Sequence, residues 1–259
     1  MKKIKTWRDF SKNIRPNGCS LLNNINQFPS SVLIAGCQRS GTTVLSRVIT
    51  RSDDFTEYNI TKDDELDAAL ILSGCEDYNA DGRHCFQTTY LNECYTEYFT
   101  LNKTHKIVWV IRNPLSVVYS LLYNWSRQPL NNLFKGCALG FLSETEMRRY
   151  EVFGDFSVSQ LKKSVFSYLA KANQIIELTE RLDSTQICVV DYHDIVCNKK
   201  DILPLIYEFI DHPYKQKYAE LIHSQSINKA SKLSEKELLY IKENCIPVYD
   251  KITKLAVKI

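Results

Sequence analysis

Residues Gly36-Cys37-Gln38-Arg39-Ser40-Gly41-Thr42-Thr43 place two glycines, one guanidinium and three hydroxyls within eight positions. Glycine lets a loop turn tightly and bring its backbone close to a ligand, while arginine and hydroxyls donate hydrogen bonds, so this mixture suits an oxyanion. A second basic group stands at Arg112, with Asn113-Pro114 after it and Ser120 eight positions on. Arginine offers a planar fork of donors to a phosphate dianion, and a serine two turns into a helix opened by Pro114 can share that group. Phosphate held at two points is the chemistry these residues suggest.

The elements that must position them can be read from periodicity. Val32 to Ala35 is a short apolar run ending at Gly36, and Thr42 to Ile49 has Val44, Leu45, Val48 and Ile49 on one helical face. A strand, a tight loop and a helix N-terminus follow one another there, and such a junction points unpaired N–H groups and the positive end of the helix dipole at the loop. Lys106 to Ile111 reads as a buried parallel strand with Arg112 at its carboxyl end, and Leu115, Val118, Leu121 and Leu122 give the next helix an apolar side. The loop resembles the Walker A pattern, except that Thr42 stands where that pattern has its Lys. Nucleotide triphosphatases need that Lys at the β- and γ-phosphates, whereas the cation here, Arg39, lies three residues earlier. The loss argues against ATP or GTP hydrolysis.

The octapeptide 36–43 resembles the 5′-phosphosulfate loop of sulfotransferases that use 3′-phosphoadenosine 5′-phosphosulfate (PAPS), in the branch with Arg before Ser-Gly-Thr-Thr, of carbohydrate and bacterial type. Arg112-Asn113-Pro114-x-x-Val117-x-x-Ser120 resembles the same family's 3′-phosphate segment. The resemblance implies an α/β fold, with a P-loop-type central parallel sheet flanked by helices. It implies that Gln38, Arg39, Ser40, Gly41, Thr42 and Thr43 hold the phosphosulfate and that Arg112 and Ser120 hold the 3′-phosphate, with no metal required. In several branches a Glu shortly after the loop helix is the catalytic base, which makes Glu57 the first candidate and His84 the second. A base is needed because an alcohol is a poor nucleophile at neutral pH. Arg39 is then the group that neutralises charge on the bridging oxygen. Related enzymes carry Lys-Thr-Pro where this chain has Gln87-Thr88-Thr89, so the work of that Lys falls to Arg39. Lys103-Thr104-His105 spells a triplet of the phenol and steroid enzymes, but His105 abuts the amino end of its strand, and open parallel sheets bind ligands at the carboxyl ends. Members also carry a Ser- and Lys-rich loop near the C-terminus that touches the 3′-phosphate and adenine, which points to Lys229 and Lys232 in 224–232.

With 259 residues, 44% hydrophobic and 24% charged, the chain suits one globular domain. The expected organisation is a single domain over 1–259, with an irregular arm over 1–30 and a loop-rich lid insertion over 126–157 that contains Pro129, Gly136, Gly140 and Gly154. Trp125, Phe134, Phe141 and Tyr150 are candidates to line an acceptor pocket beneath it. A net charge of +3 is too small to claim nucleic acid, and no run of about 18 apolar residues occurs that would insert in a membrane. A cytoplasmic enzyme is expected. Nine cysteines without a Cys-x-x-Cys pair suggest reduced, mostly buried thiols rather than zinc, with Cys37 open to a lowered pKa from its anion-binding loop. A second short strand is expected near 53–58, helices over 62–73, 91–101, 158–182, 202–210 and 234–249, and a strand over 186–191 leading to the acidic turn Asp191-Tyr192-His193-Asp194. The expected function is transfer of the sulfuryl group from PAPS to an acceptor hydroxyl of a glycan or secondary metabolite. The alternatives are a P-loop kinase of a small metabolite using ATP–Mg²⁺, and a non-catalytic nucleotide-binding protein that lacks the base.

Overall fold

A computed structural model describes residues 4–14, 20–79, 81–222 and 229–257, with backbone alone at 221, 229 and 230. Four short strands, β1 (Val32–Gly36), β2 (Cys85–Gln87), β3 (Lys106–Ile111) and β4 (Ile187–Asp191), form one sheet in the order β2-β1-β3-β4, all parallel. The order is what continuous apolar runs dictate, because parallel strands need crossovers and the crossover helices cover both faces. Every residue of β1 is buried. Leu33 and Ala35 face one core and Val32 and Ile34 the other, as the two-residue period of a strand requires.

Ten helices surround the sheet among the described residues: α1 (Trp7–Asn13), α2 (Thr42–Thr50), α3 (Asp64–Leu72), α4 (Pro114–Tyr123), α5 (Arg127–Cys137), α6 (Glu144–Phe153), α7 (Gln160–Arg181), α8 (Tyr192–Cys197), α9 (Lys199–Phe209) and α10 (Glu235–Ile252). The smaller core holds α2, α8 and α9 against one face. On the other face the larger core gathers α3, α4, α5, α7 and α10. Helix starts follow their sequence signals. Asn113 accepts from Leu115 N with Pro114 in the first turn, and Ser234 with Glu237 forms a capping box at α10. None of the described helices is long and apolar enough to cross a membrane.

Five expectations need correction. The segment 126–157, read as loop-rich, is mostly helical. Pro129 falls in the first turn of α5, where a missing N–H costs nothing, and α5 packs on α7. The N-terminal arm contains α1, anchored by Phe10, which is fully buried and meets Tyr90 edge-on. The second strand near 53–58 is reduced to one bridge, Phe55 to Arg83. The expected helix over 91–101 is a 3₁₀ segment spanning Thr89–Thr100, kinked at Asn92 and Cys94. Cys94 is also disulfide-bonded, which departs from the expectation of reduced thiols. Buried thiols elsewhere fit it, and burial pushes Cys85, Cys188 and Cys245 up to about 12.

Candidate functional site

The loop between β1 and α2 is shaped by two glycines whose replacement the surroundings forbid. Gly36 has φ +144°, and a Cβ there would lie 2.5 Å from the Val110 carbonyl oxygen of the neighbouring strand. Gly41 has φ +100°, and its Cβ would lie 2.1 Å from a ring carbon of Tyr192. The loop therefore presses against β3 and against the first residue of α8. Arg39, at the loop apex, takes a positive φ of 73°, a conformation that a side chain disfavours and that recurs at functional turns. Ser40 N closes the turn on the Cys37 carbonyl at 3.1 Å.

The two phosphate elements expected from sequence meet at this apex. Arg39 Nε donates to Ser120 Oγ at 2.9 Å, from the buried face of α4, and Arg112 Nη1 donates to the Arg39 carbonyl at 3.3 Å. Arg112 is nearly buried and lies over the Tyr192 ring, 4.3 Å from its centroid. Desolvation lowers the pKa of both Arg112 and Arg39, although only Arg112 is buried and Arg39 stays exposed at the apex. Ser40 Oγ is buried with no hydrogen-bond partner, as is Gln38 Oε1. An unpaired buried hydroxyl beside two guanidinium groups is a donor awaiting an acceptor. Tyr192, read from sequence as part of a structural acidic turn, is the shared platform under Arg112 and Gly41. It is held by Asp191, whose carboxylate caps α8 at His193 N and accepts from the Tyr249 hydroxyl at 2.6 Å.

Thr42 is buried, and its Oγ1 accepts from Gln87 Nε2 at 3.3 Å. The position that carries Lys in the resembled family thus holds a neutral amide on the helix start. Behind the loop, Gln38 Nε2 donates to the Thr89 carbonyl at 2.9 Å and Lys171 Nζ to the same carbonyl at 3.1 Å. Burial lowers the pKa of Lys171. Cys37 is enclosed here too, and burial pushes its thiol up, well above the ordinary range, against the expectation of a lowered pKa. The loop's anion preference does not reach a side chain turned into the core.

An open cleft of about 600 Å³ adjoins the loop at Gln38, with Glu65, Tyr90 and Asn92 among its floor residues and α1 and α5 as its walls. Glu65 is the acidic group that sequence reasoning passed over. It stands in the first turn of α3, half-buried, and accepts a hydrogen bond from the Thr89 hydroxyl. Asp63 fixes that helix start by accepting from Glu65 N and Leu66 N, and also accepts from Trp7 Nε1 at 3.0 Å. The buried Asp67 carboxylate holds the preceding turn through Ile60 N and Thr61 N. Asp63 and Asp67 thus fix the helix start that carries Glu65, and Thr89 holds the Glu65 carboxylate in the cleft lining.

The two expected bases stand elsewhere. Glu57 is largely exposed and pairs with Arg51 at 3.7 Å, beyond the carboxyl end of α2, while the loop lies at its amino end. About nine residues of helix separate them, roughly 13 Å. His84 is fully buried at the amino end of β2, stacked on Phe86 at 5.4 Å and edge-on to Phe28 at 5.1 Å, and neither ring nitrogen reaches a side-chain or backbone partner by geometry. Burial lowers its pKa. Neither residue lines the cleft beside the loop. His105 is buried before β3, at the amino end as expected. Of the aromatic candidates, only Trp125 lines the cleft. Phe134 is buried against Tyr150, and Phe141 meets Phe166 of α7, so they pack the α5–α6 region onto the body. Residues 224–228 lie outside the described residues, as does the Lys229 side chain. Lys232 is exposed on a 3₁₀ turn over 229–232 that packs on α4, the helix of Ser120.

The buried neutral His84 carries a pH prediction. The folded state keeps it uncharged at a pH where the unfolded chain binds a proton, so stability falls as pH drops below about 6.5, the ordinary His value. His105 and His212 are lowered by burial and act in the same direction. His84→Phe, which preserves the ring packing, is expected to shrink the difference in urea midpoint between pH 7.5 and pH 5.5. An unchanged difference would refute a neutral buried imidazole at 84.

Residues 29–244 match a family model described as a sulfotransferase domain. Among solved structures, the chain resembles the sulfotransferase domain from the curacin biosynthetic pathway at 14% identity and TM-score 0.51, over 89% of this chain and 93% of that one. It also resembles a sulfotransferase from Alicyclobacillus acidocaldarius at 14% identity and TM-score 0.53, over 86% and 94% of the two chains. At that identity the likeness speaks for the fold. No curated protein matches the chain.

Proposed function

The chain belongs to the sulfotransferase domain family, and from that premise we propose that it transfers the sulfuryl group of PAPS to a hydroxyl of a small-molecule or glycan acceptor. The observation that carries this is the meeting of the two phosphate elements, with Arg39 on Ser120 and Arg112 on the Arg39 carbonyl. On this reading the two cations serve two anionic groups of a single ligand, and the unpaired Ser40 hydroxyl fits a third contact.

Arg39, Ser40, Gly41, Thr42 and Thr43, with Gln38 behind them, would hold the 5′-phosphosulfate. Arg112 and Ser120 would hold the 3′-phosphate, joined by Lys232 and Lys229 from the turn beside α4. PAPS, when bound, supplies an activated sulfuryl group with adenosine 3′,5′-bisphosphate as its leaving group. The residues of this chain then have three tasks. Glu65, in place of Glu57, accepts the proton of the acceptor hydroxyl from the cleft floor. The Thr89 hydroxyl keeps the Glu65 carboxylate pointed there. Arg39 offsets the negative charge that develops on the departing oxygen.

The test is calorimetric titration of the protein with adenosine 3′,5′-bisphosphate and, separately, with ATP–Mg²⁺. Binding of the bisphosphate that is unaffected by EDTA, and tighter than that of ATP–Mg²⁺, is expected. Preference for ATP–Mg²⁺ would instead favour phosphoryl transfer by a small-metabolite kinase.

A further inference from the structure

The cleft beside the loop, on the reading that it is the acceptor site, has chemistry that describes the acceptor. Its two walls are helix faces: Trp7, Arg8 and Lys12 come from α1, and Gln128 and Asn132 from α5, with Trp125 just before it. The spacing of 8 and 12, one turn apart, puts both cations on the same face of α1. Both are exposed, and among the described residues neither side chain forms an ion pair or a hydrogen bond. The carboxylates of Asp9, Asp63 and Glu65 keep their charge but are held by neutral donors rather than by these two cations. Asp9 accepts from the Thr6 hydroxyl, Asp63 from the start of α3 and Trp7, and Glu65 from Thr89. The opposite wall is neutral, with Gln128 donating to Asn132 at 3.0 Å.

We propose that the acceptor is an anion, a ring-bearing hydroxyl compound with a carboxylate, phosphate or sulfate group that Arg8 and Lys12 bind at the rim while its hydroxyl lies at Glu65. The cleft separates the two charges by depth. Glu65 is half-buried on the floor, whereas the two cations stand at the open edge. A concave site walled by low-dielectric protein focuses such a field, and with Arg8 and Lys12 at the rim outnumbering Glu65 on the floor the cleft favours an anion at its open edge although the whole chain carries only +3. The two tryptophans supply flat faces for the ring between them, and the α5 amides supply neutral hydrogen bonds to its polar substituents.

The experiment has two arms on the full chain and its Arg8→Gln/Lys12→Gln variant, whose exposed substitutions are not expected to disturb folding. Trp7 and Trp125 line the cleft while Trp109 is buried, so they are the tryptophans open to quenchers, of three in the chain. At constant ionic strength, iodide quenching relative to neutral acrylamide is expected to fall about twofold or more in the variant. In the second arm, labelled PAPS is offered the matched pair phenyl glucuronide and phenyl glucoside, and phenyl glucoside bearing a phosphate. The anionic members are expected to show kcat/KM about tenfold higher, falling towards parity in the variant. Adenosine 3′,5′-bisphosphate affinity should be the same in both proteins. Equal iodide quenching, or preference for the neutral glucoside, overturns the anionic acceptor whatever the donor result. Failure of the bisphosphate to bind the wild type overturns the donor assignment and leaves the quenching result to decide the cleft's charge.

Discussion

Arg112→Ala is expected to weaken binding of adenosine 3′,5′-bisphosphate about a hundredfold while leaving the fold intact. Hydrogen bonds to charged groups contribute about 1.5–3 kcal/mol each, and a guanidinium fork makes two to one phosphate. Arg112 also reaches the Arg39 carbonyl, so its loss loosens the loop that binds the other end of the ligand. The strand beneath should survive, because Tyr168 holds the Arg112 carbonyl rather than its side chain. Arg112→Lys separates the two contributions. It keeps the charge but loses the fork and the flat packing on Tyr192, and is expected to recover only a minor part of the affinity. Calorimetry on the three proteins, with melting temperature as the folding control, decides the matter. Unchanged affinity in a folded Arg112→Ala protein would remove Arg112 from the donor site.

The second large effect concerns the base. Glu65→Gln is expected to lower kcat by about 10²- to 10⁴-fold, the usual range for a lost general base, with bisphosphate affinity unchanged. Glutamine keeps an oxygen to accept from Thr89, so the variant removes the charge without removing the contact. The alkaline plateau of kcat/KM, where the carboxylate is ionised, should be lost with it. Glu57→Gln is expected to stay within about twofold of wild type, because an exposed pair with Arg51 contributes little. Any acceptor turned over from a panel of hydroxyl compounds serves for the measurement. A silent Glu65→Gln beside a dead Glu57→Gln would return the role to Glu57.

How far the sequence leads depends on which signals compete. The strand ends that carry Gly36 and Arg112 are legible because a short apolar run, an abrupt glycine or arginine, and a helix period have few rival explanations. Loop and 3′ segment accordingly fall where expected, at adjacent carboxyl ends, and Ser120 with them. The 126–157 region misleads because proline and glycine ordinarily punctuate loops, whereas Pro129 sits in the one turn of a helix that does not need its N–H and Gly136 lies within the last turn of α5. Glu65 is hidden for a different reason. It follows Asp63 and Asp64, and an acidic first turn is already explained by the helix dipole. Only the fold, by carrying Thr89 and Gln38 to that turn, distinguishes it from its neighbours. Glu57 and His84 are picked out by distance along the chain, which does not reveal which end of α2 or β2 they occupy.

Tyr192 lies 151 residues after Gly41 along the chain, yet the loop leans on its ring. During synthesis, a chain that has emerged only as far as α4 already carries both expected phosphate motifs, but Tyr192 does not yet stand beneath them. The proposed donor site therefore matures late, when β4 docks and brings α8 with it. A truncated product ending before β4 would keep the motifs by which such a site is recognised and lack the surface that gives them their shape. Closure over so long a separation is slow relative to local helix formation. Ligand-binding competence should accordingly appear after most of the helical signal during refolding.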